Sequence, residues 1–218
     1  MKNILASTVI AAGLLSAASI ADAAYFDFQN WIDVNGEQGF DNTIPFTMTD
    51  TGLTLTATAY ETPGMIDSHV YMDDSFNSII GGMGVCSTLT AGNQCANSAD
   101  DNVSLDGGNA EILMWNFSQS ISQITLELGD SEHFDFIDSA FEYNAGAGWL
   151  TGTTDANAFA TLILTDSSGD IEFRTAGADK TDYFYIRNAD ITVVPVPAAV
   201  FLFGSGLLGL VGMSRRRS

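Results

Sequence analysis

Leu53-Thr54-Leu55-Thr56-Ala57-Thr58-Ala59-Tyr60 sets out the period that governs this chain. Threonine alternates there with aliphatic residues, so an extended strand places the threonines on one face and the aliphatics on the other. A helix would scatter both around its axis. The same period of two recurs downstream. Glu111 to Phe117 and Ile121 to Leu128 flank Ser118-Gln119-Ser120, and Phe159 to Thr165 and Ile171 to Thr175 flank Asp166-Ser167-Ser168-Gly169. Short polar turns between alternating runs predict two β-hairpins. Tyr183 to Arg187 and Asp190 to Val194 read as two further strands, and no stretch of residues 24–194 keeps a helical period over twelve residues. The expected fold is all-β: one antiparallel β-sandwich domain of jelly-roll type over residues 24–194.

The charge of that domain excludes several functions. Between Ala24 and Val194 stand 26 acidic residues against three basic ones, Arg174, Lys180 and Arg187, a net charge of −23. Nucleic acids and anionic lipid surfaces are bound by Lys and Arg displacing counterions, so neither is an expected partner. Trp31, Trp115 and Trp149, with many Phe and Tyr, separate this chain from acidic disordered segments and allow a core. No G-x-S-x-G, H-E-x-x-H or P-loop pattern occurs, so no catalytic residue is assigned and no enzyme of those classes is expected. His69 and His133 are too few for a zinc site. Glu132-His133-x-Asp135 is the one local cluster of histidine and carboxylates, in a loop after a strand.

Both ends carry signals. Lys2, the apolar run Ile4 to Ile20 and Ala21-Asp22-Ala23 read as a secretory signal peptide over residues 1–23, cleaved after Ala23. At the other end Val194-Pro195-Val196-Pro197 precedes sixteen uncharged residues, Ala198 to Met213, and then Arg215-Arg216-Arg217. Sixteen residues fall short of the roughly 20 that span a bilayer, so this is a short transmembrane helix. The arginines would hold its end in the cytoplasm. Pro195-Val196-Pro197, the stretch containing Gly204, Gly206, Gly209 and Gly212, and the basic triplet together resemble the PEP-CTERM sorting signal of Gram-negative, biofilm-forming bacteria. Val196 stands where the name-giving pattern has Glu, which makes residues 195–218 similar to the VPxP variant. The resemblance implies export by the Sec machinery, a transient stay in the inner membrane, and cleavage near Pro195-Val196-Pro197 by an exosortase. The body would then be released or attached at the cell surface.

Export gives the two cysteines a meaning. Cys86 and Cys95, nine positions apart with Gly92 and Asn93 between them, are expected to form a disulfide closing a surface loop. The loop belongs to the longest irregular stretch, Asp73 to Asn109, which also holds the densest acids. Asp100, Asp101, Asn102 and Asp106 are the candidate Ca²⁺ ligands, because carboxylate and amide oxygens are what that ion prefers, and Asp73 and Asp74 stand upstream in the same acidic constellation. A solvated acidic loop is the alternative, since EF-hand spacing is absent. Gly82-Met83-Gly84-Val85, Asp101-Asn102-Val103 and Glu111-Ile112-Leu113 look like the β-sandwich bodies found in front of PEP-CTERM tails. Trp149, in the Gly-rich segment Asn144 to Trp149, is the candidate for an exposed carbohydrate contact, whereas Trp115, in an alternating strand, reads as core. The expected function is a non-enzymatic structural or carbohydrate-contacting component of the exopolysaccharide or biofilm matrix. A secreted polysaccharide hydrolase using a carboxylate pair and an ice-binding protein are the alternatives. Thr54, Thr56 and Thr58 form the Thr-x-Thr array that would support the last.

Overall fold

The structure is a computed structural model that describes residues 23–41, 43–47, 51–62, 66–74, 81–97, 101–106, 109–167, 169–177 and 182–194. The leader up to Asp22 and the tail from Pro195, with its proline motif and arginines, lie outside the described residues. Among the described residues no helix is long and apolar enough to cross a membrane.

The protein is an antiparallel β-structure with one short helix. In chain order the elements are β1 (Ala23–Asp27), α1 (Phe28–Asn35), β2 (Gln38–Phe40), β3 (Thr43–Thr47), β4 (Thr54–Thr62), β5 (Ile66–Asp73), β6 (Gly82–Cys86) and β7 (Leu105–Asp106). They continue with β8 (Asn109–Phe117), β9 (Ile121–Asp130), β10 (Ala140–Asn144), β11 (Trp149–Thr153), β12 (Phe159–Ser167), β13 (Asp170–Thr175) and β14 (Phe184–Val193). Ten strands follow one hydrogen-bonded path, β11-β10-β13-β8-β4-β5-β6-β14-β9-β12, and the other four pair onto its members. Strand β5 turns the corner. Ile66 to Ser68 pair with β4, and His69 to Asp73 pair with β6. The two end strands, β11 and β12, approach each other, so the sheet curls into a nearly closed, barrel-like form.

The alternation of Leu53 to Tyr60 is realised as expected: Leu55, Ala57 and Ala59 are buried while Thr54, Thr56 and Thr58 are only partly so. Trp115 is fully buried at the centre of the core. Its ring meets Phe173 at 5.0 Å and Phe28 at 5.7 Å, and its indole N–H donates to the Met83 sulfur at 3.3 Å.

Neither of the two expected hairpins forms. β8 pairs with β4, β7 and β13, while β9 pairs with β12 and β14; β13 pairs with β8 and β10, and β12 with β9. Each short turn instead carries the chain across the core, and the two arches stack: β9 beside β12, β8 beside β13. The polar turn residues explain the choice. Ser118 donates its N–H to Thr54 O at 2.9 Å and its Oγ accepts from Thr54 N at 2.8 Å, whereas Ser120 O accepts from Val194 N at 2.8 Å. Two residues later in the chain, the backbone has thus changed partners from the end of β4 to the end of β14. β8 presents Leu113, Trp115 and Phe117 on one face and β9 presents Ile124, Leu126 and Leu128, and an arch brings these buried faces together.

Two further expectations are corrected. Tyr183 to Arg187 and Asp190 to Val194 are one strand, β14, whose register slips between Ile186 and Asn188 so that Arg187 is the extra residue of a β-bulge. The stretch Asp73 to Asn109 contains β6 and β7, and β6 is buried on both faces between β5 and β14. Its glycines are there for close approach: a Cβ on Gly84 would lie 2.1 Å from Asp101 O, and one on Gly82 2.8 Å from Ile186 O. Helix α1 is eight residues, too short for a twelve-residue periodicity to register. Asp27 caps it by accepting from Asn30 N at 2.8 Å, Gly36 ends it at φ 83°, and Phe28 and Ile32 are buried, so it plugs one end of the core.

Candidate functional site

Helix α1 and the strands beside it enclose a groove of about 500 Å³, within the range of small-molecule sites. Its lining includes Tyr25, Asp27, Asn30, Trp31, Val34 and Asn35, with Pro45 to Thr47 of β3 opposite. The Trp31 ring meets Phe40 at 5.7 Å and Phe46 at 5.9 Å, both edge-on, which fixes its orientation while leaving it only partly buried. Asn35 is held by donating from Nδ2 to Trp31 O at 2.7 Å. Tyr25 is 51% exposed and Val34 75%. Rigid aromatic surface bordered by amides and a carboxylate is the chemistry that receives sugars, whose apolar faces stack and whose hydroxyls need partners. No family model, curated protein or solved structure matches the chain. The groove is not legible in the sequence, because its lining is brought together from β1, α1 and β3 and an eight-residue helix is too short to show a long period.

Trp149, the residue expected to make the carbohydrate contact, opens β11 and is partly buried. Arg174 lies over its ring at 4.0 Å and donates from Nε to Glu142 Oε2 at 2.6 Å. One face of the indole is therefore occupied by the protein's own cation.

Cys86 and Cys95 form the expected disulfide. Within its loop Thr90 N donates to Gln94 O at 2.8 Å and Asn93 sits at φ 59°, while Gln94 Nε2 donates to Glu37 O and Gly39 N to Asn93 O, docking the loop on β2. Closing a ring of this size stabilises the fold by about 2 to 3 kcal/mol.

The candidate calcium ligands divide. Asp100 lies outside the described residues, as does the side chain of Asp106, which is placed in β7 by its backbone. Asp101 and Asn102 are described, and both are buried. Asp101 Oδ1 accepts from the Tyr185 hydroxyl at 2.5 Å and from Asn102 Nδ2 at 3.3 Å. Among the described residues no group of three or more His, Cys, Asp or Glu side chains is placed to hold a metal ion.

What gathers around Tyr185 is instead a buried polar cluster drawn from four segments. His133 stacks on the Tyr185 ring at 5.1 Å with 12° between planes, and its Nε2 lies 3.3 Å from Asp73 Oδ2 without hydrogen-bond alignment, leaving that oxygen without a hydrogen-bond partner. Burial, then the Asp101 and Glu37 carboxylates, push Asp73 up to about 8. Burial also raises Asp101, lowers His133 and raises the Tyr185 hydroxyl, the last reinforced by Asp73 and Asp101. Behind the ring pair, Arg187 is inserted with its side chain 3% exposed. Its guanidinium donates to Asp135 Oδ1 at 2.7 Å, His133 O at 2.6 Å and Phe134 O at 2.9 Å. The loop of Glu132-His133-x-Asp135 is thereby pinned to β14. A readable signal for this existed: Arg187 is one of three cations in the domain and interrupts the apolar run Phe184-Tyr185-Ile186.

Proposed function

We propose that this chain is the precursor of an exported surface or extracellular-matrix protein, cleaved at its tail by an exosortase, whose β domain is a non-enzymatic structural or carbohydrate-contacting module of an exopolysaccharide matrix. The observation that carries the proposal is the ordered tail: Pro195-Val196-Pro197, then sixteen uncharged residues, then Arg215-Arg216-Arg217. The leader ending Ala21-Asp22-Ala23 supports export, and the Cys86–Cys95 disulfide suits an oxidising compartment outside the cytoplasm. The Trp31 groove supports contact with sugars. Burial of Asp73 and Asp101 around the Tyr185 hydroxyl favours a structural role over a hydrolytic carboxylate pair, because a polymer must reach the acids that cleave it. In the same reading the barrel-like sheet is a flattened jelly-roll sandwich, with β5 as the strand shared between its layers.

Replacing Pro195 and Pro197 together by alanine is expected to leave the full-length precursor in the inner membrane, while the natural chain yields a secreted body whose mass ends close to Pro197. Unchanged processing of the double variant, seen by mass spectrometry of the culture fluid, would rule out the exosortase step. Calcium enters the proposal as a stabiliser of the segment bearing Asp100, Asp101, Asn102 and Asp106. The melting temperature of the secreted body is expected to rise on adding Ca²⁺ and fall with chelator; indifference to both removes calcium.

A further inference from the structure

Building on the carbohydrate reading above, we infer that the groove between β1, α1 and β3 takes an uncharged segment of polysaccharide, stacked on Trp31, and turns away chains bearing uronate or sulfate. Three features of the groove lead there. Its aromatic platform is preorganised: Phe40 and Phe46 hold the Trp31 ring edge-on, so little side-chain entropy is lost when a sugar stacks on it. Its polar border is also preset, since Asp27 is fixed by capping Asn30 and Asn35 by its bond to Trp31 O, and both stand beside the ring where sugar hydroxyls would come. Its charge is of one sign. Among the described residues no Lys or Arg lines the groove, and Asp27, Glu127 and Asp190 all act on the Tyr25 hydroxyl that borders it.

Among the described residues no cation is placed to reverse this. Arg174 is engaged between Glu142 and Trp149, Arg187 is buried against Asp135, and Lys180 lies outside the described residues. An anionic chain would enter the field of a domain of net charge −23 without a counter-charge in the groove, whereas a neutral chain pays no such penalty. A purely apolar peptide would leave the carboxylate and amides of the border without partners, which favours a hydroxyl-rich ligand.

The test uses the secreted mature protein and the polysaccharide released by the cells that export it, separated by anion exchange into neutral and acidic fractions. Electrophoresis through gels containing each fraction reads the affinity as retarded migration. The neutral fraction is expected to retard the protein, the acidic one not. Trp31→Ala and the surface variant Tyr25→Ala should each weaken retention at least about tenfold, and Trp149→Ala should leave it unchanged. Tyr25 is half exposed, so its replacement tests the groove even if the Trp31 variant is misfolded. Retention of the neutral fraction that Tyr25→Ala and Trp31→Ala do not alter, or equal retention of the acidic fraction, overturns the groove assignment and leaves the matrix reading standing. Retention of neither fraction overturns the carbohydrate reading and this inference together, and leaves the sorting proposal to its own proline test.

Discussion

Arg187→Ala is expected to lower the stability of the domain by about 3 to 5 kcal/mol, the combined cost of two loop carbonyls left without a donor and of the void behind them. The guanidinium ties three points of one loop, Asp135 Oδ1, His133 O and Phe134 O, to the bulge of β14. Removing it strips two carbonyls of their donor and opens a void beside Gly129, where a Cβ would lie 2.6 Å from Arg187 Nε. Asp135 is 59% exposed and can be resolvated, so the loss comes from the loop carbonyls and the packing. Arg187→Lys should recover only a minor part, because an ammonium cannot present the planar fork that serves three acceptors at once. Urea unfolding with an unchanged slope would give the values directly. A midpoint within experimental error of the natural protein would mean that the loop does not depend on Arg187.

The second large effect is on the pH profile. Burial, then Asp101 and Glu37, hold Asp73 at about 8 in the folded state, against an ordinary 3.8. Between these values the folded chain carries a proton that the unfolded chain has released, so stability falls as pH rises, and levels off above about pH 8. His133 acts in the opposite sense: burial lowers it, so folding is opposed by its protonation as pH drops below its ordinary 6.5. The two contributions overlap in acid. From pH 6.5 to 8, however, Asp73 acts without His133, and the folding equilibrium is expected to weaken up to tenfold per pH unit. Asp73→Asn should flatten this window and make the variant more stable than the natural protein at pH 8 to 9. Glu37, Asp101 and Tyr185 remain in place, so a slope that persists in Asp73→Asn would transfer the effect to another member of the cluster. Melting temperatures across that window would decide.

How much of this was legible can be argued from single segments. The alternation in Leu53 to Tyr60 was enough to define a half-buried strand, because side-chain period is a local property of the backbone. The same holds for the burial of Trp115 and for the Cys86–Cys95 pair, where nine residues and a Gly-Asn turn leave few geometries. The turn at Ser118-Gln119-Ser120 was read as a hairpin and is an arch. A short polar turn between two alternating strands is compatible with either, and the difference lies in which distant residues, Thr54 and Val194, accept or supply its hydrogen bonds. β6 was hidden by the glycines that allow its close packing, since these are poor strand formers taken alone. Strand-like alternation, the excess of acids, and the Pro195-Val196-Pro197 and arginine motifs of the tail belong to composition and short stretches, so they are legible without any knowledge of the fold. Partner choice between strands, the inward turn of Arg187, the meeting of Asp73, Asp101, His133 and Tyr185, and the Trp31 groove join residues up to 112 positions apart in the cluster. Only the tertiary structure decided those, because long-range pairing is settled by which faces bury together and not by any local preference of the chain.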